Sequence, residues 1–223
     1  MDEQKRQARY DARFEEIVDA AAHLIAQKGF AETSVAEICE HVGIGKGGLY
    51  YYIDSKDDLF LAIQERSMAP LLEHSRRILA YDACPLTRLR LLSEFFLQVQ
   101  FDRLDHAWVV LHDHRILRDD EQSRAFRQRR AEYEDIIDAV LKEGIADGSM
   151  QIADLSIARL AFLGMHNYTY QWLNPNGRLD ARGISREYCR IFLAGIAGKD
   201  IDWDELEVRS AAIWDELDLS SAL

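Results

Sequence analysis

The chain has 223 residues, 39 acidic and 27 basic, for a net charge of −12, and 48% of it is hydrophobic. That is enough to bury a sizeable core as two small domains or one large one. With 3 prolines and 12 glycines it is neither β-rich nor disordered in composition, and no apolar run reaches the ~18 residues a membrane helix needs.

The first residues, MDEQKRQARYDARF, are charged and lack the apolar core of a signal peptide, so a cytoplasmic location is expected and no membrane partner. Lys5, Arg6, Arg9 and Arg13 cluster there and read as a flexible basic arm. Cys39, Cys84 and Cys189 are far apart with no CxxC pair, which reads as reduced structural thiols. A helix is expected over residues 10–28, with Phe14, Ile17, Val18, Ala21, Leu24 and Ile25 as its buried stripe and Gly29 ending it.

The segment 33–56, TSVAEICEHVGIGKGGLYYYIDSK, reads as two short helices joined by a tight turn. Ser34 and Glu37 have capping-box spacing. Val35, Ile38, Cys39 and Val42 share one helical face, and Gly43 supplies the turn. The second helix opens on Gly45-Lys46-Gly47-Gly48 and carries Leu49, Tyr50, Tyr51 and Tyr52. This is a helix-turn-helix layout, whose second helix enters the DNA major groove. Glycines let backbone N–H groups approach a phosphate, Lys46 adds charge, and three consecutive tyrosines spread over roughly 200°, so at least one must be exposed. The expected DNA contacts are Thr33, Ser34, Gly45, Lys46, Gly47, Tyr50, Tyr51, Tyr52 and Lys56. A bland alternative is a surface glycine loop leading into an aromatic helix start packed on Phe14 or Phe60.

Residues 13–61 resemble the DNA-binding half of TetR-family regulators. The likeness rests on Ile17, Ala20, Ala21, Phe30, Thr33, Ile38, Gly43, Lys46, Gly47, Leu49, Tyr50, Tyr51, Ser55, Lys56 and Leu59. Members often have Ser or Thr at the places of Gly45 and Gly48, His at Tyr52 and Phe at Ile53. Two hydroxyl contacts are therefore missing here, and the operator sequence does not carry over. The resemblance implies that the helix after Ser55 links the DNA-binding and sensor domains. The expected division is a DNA-binding domain at 1–56 and a helical ligand-binding and dimerisation domain at 57–223.

Further helices are expected over 56–80, 86–103, 106–118, 121–147, from Asp154 or Ser156 to 170, 184–197 and 204–217, with Pro70 kinking the first and Asn174-Pro175-Asn176-Gly177 forming a loop. With no strand-period run, the fold class is all-α. The helices near 156–171 and 184–197 are apolar on more than one face, which a homodimeric four-helix bundle would cover. A dimer sets two recognition helices about one DNA turn apart on a palindromic double-stranded operator.

Sensor helices enclose an apolar pocket with a few polar groups. The candidates are Phe95, Phe96, Val99, Trp108, His112, Tyr133, Met165, His166, Tyr168 and Trp172. In residues 133–196 the turn Glu143-Gly144-Ile145-Ala146-Asp147-Gly148 and the loop Trp172-Leu173-Asn174-Pro175-Asn176-Gly177-Arg178-Leu179 look like those of a TetR subgroup that includes repressors of fatty-acid and steroid catabolism, several of which answer to acyl-CoA. The expected effector is a small apolar molecule or, as that likeness implies, an acyl-CoA-like one, with Arg124, Arg127, Arg129 and Arg130 as partners for its phosphates. No cofactor, metal or catalytic residue is expected. His112-Asp113-His114 are not at helical spacing for one ion, and no catalytic fingerprint is present. An enzyme and a helical protein-interaction scaffold are the rival readings.

Overall fold

The computed structural model describes residues 2–112 and 121–220. The described residues form helices and turns, with one isolated bridge between Met150 and Ala197 in place of any strand. No helix among them is long and apolar enough to cross a membrane. The chain divides into two compact units, Met1–Ser67 with Arg103–Phe126, and Met68–Asp102 with Arg127–Leu223.

The first unit is built on α1 (Asp2–Lys28). This helix starts eight residues before the expected one, so the basic arm is helical and not flexible. The reason lies in the sequence: the segment holds no Gly or Pro, and Gln7 bonds Asp11 one turn on at 2.8 Å. α2 (Val35–Val42) follows, capped by Ser34. The Glu37 N–H donates to Ser34 Oγ, and the Ser34 N–H donates to the Glu37 carboxylate. Gly43, at φ 72°, closes α2. The Ile44 N–H reaches Cys39 O at 2.9 Å and the Gly43 N–H reaches Glu40 O at 3.2 Å, a Schellman turn. α3 (Lys46–Leu49) is only four residues long. Gly47 and Gly48 each cost about 1 kcal/mol of helix propensity against Ala, and Tyr50 to Tyr52 leave the helix as turn.

Ser55 caps α4 (Lys56–Ala80) reciprocally with Asp58, at 2.7 and 3.3 Å. The core of the unit joins Ile17, Ala21 and Ile25 to Ile38, Val42, Leu49, Leu59, Ile63 and Val109. Val109 comes from α6 (Leu104–His112), which packs along α1. α6 thus belongs to this unit, although it lies beyond residue 57 in sequence. The helix expected over 106–118 is described to His112; Asp113, His114 and the rest fall outside the described residues.

The second unit holds α5 (Pro85–Asp102), most of α7 (Glu121–Ala146), α8 (Leu155–Asn167), α9 (Ala181–Ile196) and α10 (Trp203–Glu216). α5 is buried along nearly its whole length and packs chiefly on α9. α8 begins at the Asp154 cap and ends at Asn167, three residues short of expectation, giving way to a 3-10 turn at Thr169–Gln171. α9 starts three residues earlier than expected, because Asp180 accepts the Gly183 N–H at 2.7 Å.

Candidate nucleic-acid interface and effector site

The cap before α2, the turn into α3 and the first two tyrosines after it are solvent-facing. Ser34, Gly45, Lys46, Gly47, Tyr50 and Tyr51 are exposed, with Tyr51 at 71%. Tyr52 turns inward onto the core, its ring 4.7 Å from Tyr10. Thr33 is fully buried and donates to Gly29 O at 2.9 Å. The Lys56 ammonium donates to Phe30 O at 2.8 Å and Thr33 O at 2.9 Å and lies 4.2 Å above the Phe30 ring. Two of its three N–H groups are therefore committed to holding the loop before α2. Lys28 bonds Glu37, and that bond, with those from Ser34, holds the exposed Glu37 carboxyl at about 2.

The glycines of the patch are not required by the fold. A Cβ built at Gly45 or Gly47 meets nothing within 4 Å, and at Gly48 it meets only an ordinary contact with Ile44. None of the three has positive φ. What their lack of side chains offers is an open surface, where a partner's atoms can reach the backbone N–H groups at the start of α3.

The second unit brings only some of the effector candidates together. Phe96, Tyr133 and His166 form one aromatic cluster, with Phe96 5.8 Å from Tyr133 and 5.6 Å from His166. Val99 is buried on the same helix as Phe96, and Met165 is half-buried. Phe95 instead stacks on His74 at 4.7 Å and lies near Trp214. Tyr168 and Trp172 are more than half exposed. Trp108 and His112 stack on each other at 4.3 Å in α6, within the first unit.

Around His166 runs a polar network that no sequence pattern announces. Arg90, fully buried, donates to both carboxylate oxygens of Glu207 at 2.8 and 2.9 Å, to Glu94 at 2.7 Å and to Ser185 Oγ at 2.9 Å. Ser185 donates to Ser93 at 2.7 Å, and Ser93 lies 2.7 Å from His166 Nε2. His166 Nδ1 lies 2.7 Å from Phe162 O. A carbonyl only accepts, so Nδ1 carries the proton and Nε2 accepts from Ser93. Burial lowers the His166 pKa to about 4, leaving a neutral ring. Burial also works against the Arg90 charge, but Glu207 and Glu94 outweigh it and raise its pKa.

Two buried polar atoms beside this cluster lack a hydrogen-bond partner: the Tyr133 hydroxyl and Gln100 Oε1. Gln100 spends its amide N–H on His166 O at 2.8 Å. Four positions after Phe96 on α5, it lies on the same helical face.

Two family models match the chain, "Bacterial regulatory proteins, tetR family" over residues 17–63 and "Tetracyclin repressor-like, C-terminal domain" over residues 82–196. The HTH-type transcriptional repressor KstR2 of Mycolicibacterium smegmatis is 28% identical over 192 residues, covering 83% of this chain and 91% of that protein. The fatty acid metabolism regulator protein of Bacillus subtilis is 24% identical, with 84% and 97% covered. A crystal structure of AibR in complex with isovaleryl coenzyme A and operator DNA superposes with a TM-score of 0.71 at 27% identity, covering 84% of this chain and all of that one.

Proposed function

The chain belongs to the TetR family of bacterial regulatory proteins, and we propose on that footing that it is a homodimeric repressor that binds a palindromic operator and is released by an acyl-CoA-like effector. The matched families and relatives are transcriptional regulators, so the chain is not an enzyme. The observation that carries the DNA reading is the exposed patch of Ser34, Gly45, Lys46, Gly47, Tyr50 and Tyr51, whose glycines answer no need of the fold. Lys46 takes a phosphate, the glycine N–H groups sit against the backbone, and Tyr50 and Tyr51 reach base edges or thymine methyls. Thr33, Tyr52 and Lys56 hold this surface in place from behind.

Dimerisation is supported by two outward apolar stripes. Ile157, Leu160, Ala161 and Gly164 line one face of α8 and Ile191, Ala194 and Gly195 one face of α9; all seven are exposed, Leu160 at 58% and Ile191 at 69%. Monomers rarely leave such stripes uncovered.

The effector site in this reading comprises Phe96, Val99, Gln100, Tyr133 and His166. Buried polar atoms without partners are rare, and the Tyr133 hydroxyl and Gln100 Oε1 would meet a polar group on an otherwise apolar ligand. α4 and α7 each contribute residues to both units, and in this reading effector binding biases the DNA-binding state through α4. A coupling of ~1–3 kcal/mol alters DNA affinity roughly 5–150-fold. Thermal-shift measurement against a panel of acyl-CoA thioesters tests the ligand class, and a flat response to every member removes it.

The decisive experiment on DNA selects duplexes from a random pool with the full chain and measures binding to the enriched palindrome. Lys46→Ala and Tyr50→Ala should each weaken binding by about 1–3 kcal/mol, tenfold or more, with unchanged thermal unfolding. Enrichment of no sequence, or full binding by both variants, defeats the reading.

A further inference from the structure

The N-terminal turns of α1 carry a charged stripe with a defined orientation. At about 100° per residue, Lys5, Arg6, Arg9 and Arg13 fall within an arc of roughly 100°, next to the line through Tyr10. Two contacts fix where that arc faces. Arg13 Nη2 donates to Val42 O at 3.0 Å, at the end of α2 where the helix-turn-helix turns. The Tyr10 ring packs 5.7 Å from Tyr51 and 4.7 Å from Tyr52, just past α3. The stripe therefore starts at the helix-turn-helix and runs outward from it. From Arg13 to Lys5 is about two turns, roughly 12 Å.

Three of the four charges on this stripe are available. Lys5, Arg6 and Arg9 are exposed, and none pairs with a carboxylate among the described residues. Of the nearby acids, Asp11 accepts from Gln7 at 2.8 Å and Glu16 pairs with Arg13, and Glu3 is exposed outside the arc. In a chain of net charge −12, a run of cations with no anionic partner among the described residues, beside the exposed DNA patch, fits a polyanion of matching reach. Duplex DNA carries one charge per ≈ 1.7 Å of axis, and neutralising several phosphates is worth decades of affinity at low salt.

We propose that the first three turns of α1 form a rigid phosphate rail, on which Lys5, Arg6 and Arg9 contact the DNA backbone flanking the half-site read by α3. The rail rests on the DNA-binding reading above. It supplies backbone affinity and register but no base selection. A rigid rail also gives up less chain entropy on binding than a flexible arm would.

The test uses the full chain and the palindrome it enriches from random duplexes. Lys5→Gln, Arg6→Gln and Arg9→Gln combined should weaken binding at least tenfold at fixed salt. The slope of log affinity against log salt should become shallower by about one for each phosphate no longer neutralised, and the enriched consensus should stay the same. Ala8→Pro keeps every charge but releases the preceding residues from the helix, and it should weaken binding in the same direction. An unchanged slope in the triple variant overturns the rail, and a changed consensus overturns its assignment to the backbone. Full binding by Ala8→Pro overturns its rigidity. If the unaltered chain enriches no sequence, the DNA reading and the rail fall together.

Discussion

Tyr133 carries a hydroxyl that is buried without a partner, and burial pushes its pKa far above the ordinary phenol value. Removing a buried polar atom that bonds to nothing should not cost stability, because its desolvation penalty goes with it. Tyr133→Phe is therefore expected to unfold at the same or a higher temperature than the parent. If the hydroxyl meets the effector, the same variant should lose most of the acyl-CoA-induced thermal shift. Lower stability with an intact ligand shift would mark Tyr133 as a structural residue instead. Individual residues are unevenly legible in the sequence. Ser34, Gly43 and Lys46 stand where spacing puts them, because caps and turns depend on neighbours a few positions away. Lys56 reads in sequence as a DNA-facing cation, yet it is a staple for the loop before α2. Its partners are carbonyls of Phe30 and Thr33, and no pattern of residue types reports a distant backbone oxygen.

Among the elements, helix existence follows from periodicity while helix ends do not. α1 begins well ahead of its apolar stripe, which starts only at Phe14, and the preceding turns are held by side-chain pairs on an exposed surface. The network through Arg90, Ser185, Ser93 and His166 is invisible in sequence because its members lie on three helices, far apart along the chain. Its buried histidine makes stability depend on pH. His166 and His106 titrate at about 4 in the folded chain, both held low first by burial, His106 also by Arg103 and Arg66. The unfolded value is ≈ 6.5, so between these pH values the unfolded chain binds more protons. Stability is then complete above about pH 6.5 and falls as the pH drops toward 4, by about 2 kcal/mol per histidine at pH 5. Urea midpoints at pH 7.5 and pH 5.0 should differ accordingly, and His166→Gln should narrow the gap. Equal midpoints for the parent at the two pH values would refute this account.

On the scale of the whole molecule, the apolar stripes on α8 and α9 make the argument for two copies. Leu160→Glu combined with Ile191→Glu places like charges on a surface that is solvent-facing in one chain. The folded monomer should tolerate both. Sedimentation should shift from dimer to monomer at micromolar concentration. Affinity for the full palindrome should fall by roughly 10²–10⁴, the advantage that holding two half-sites together confers, while a single half-site binds as before. A parent chain that already sediments as a monomer would remove the basis for the palindrome.

The hydroxyl chain in the second unit also limits how that unit can move. Its donors all point one way, from Arg90 through Ser185 and Ser93 to His166 and the Phe162 carbonyl, and Arg90 is latched to α10 through Glu207. Sliding any one of α5, α8, α9 or α10 by a single turn, about 5.4 Å, would break a link and strand a buried polar group in a dry interior. These four helices are therefore expected to travel as one block.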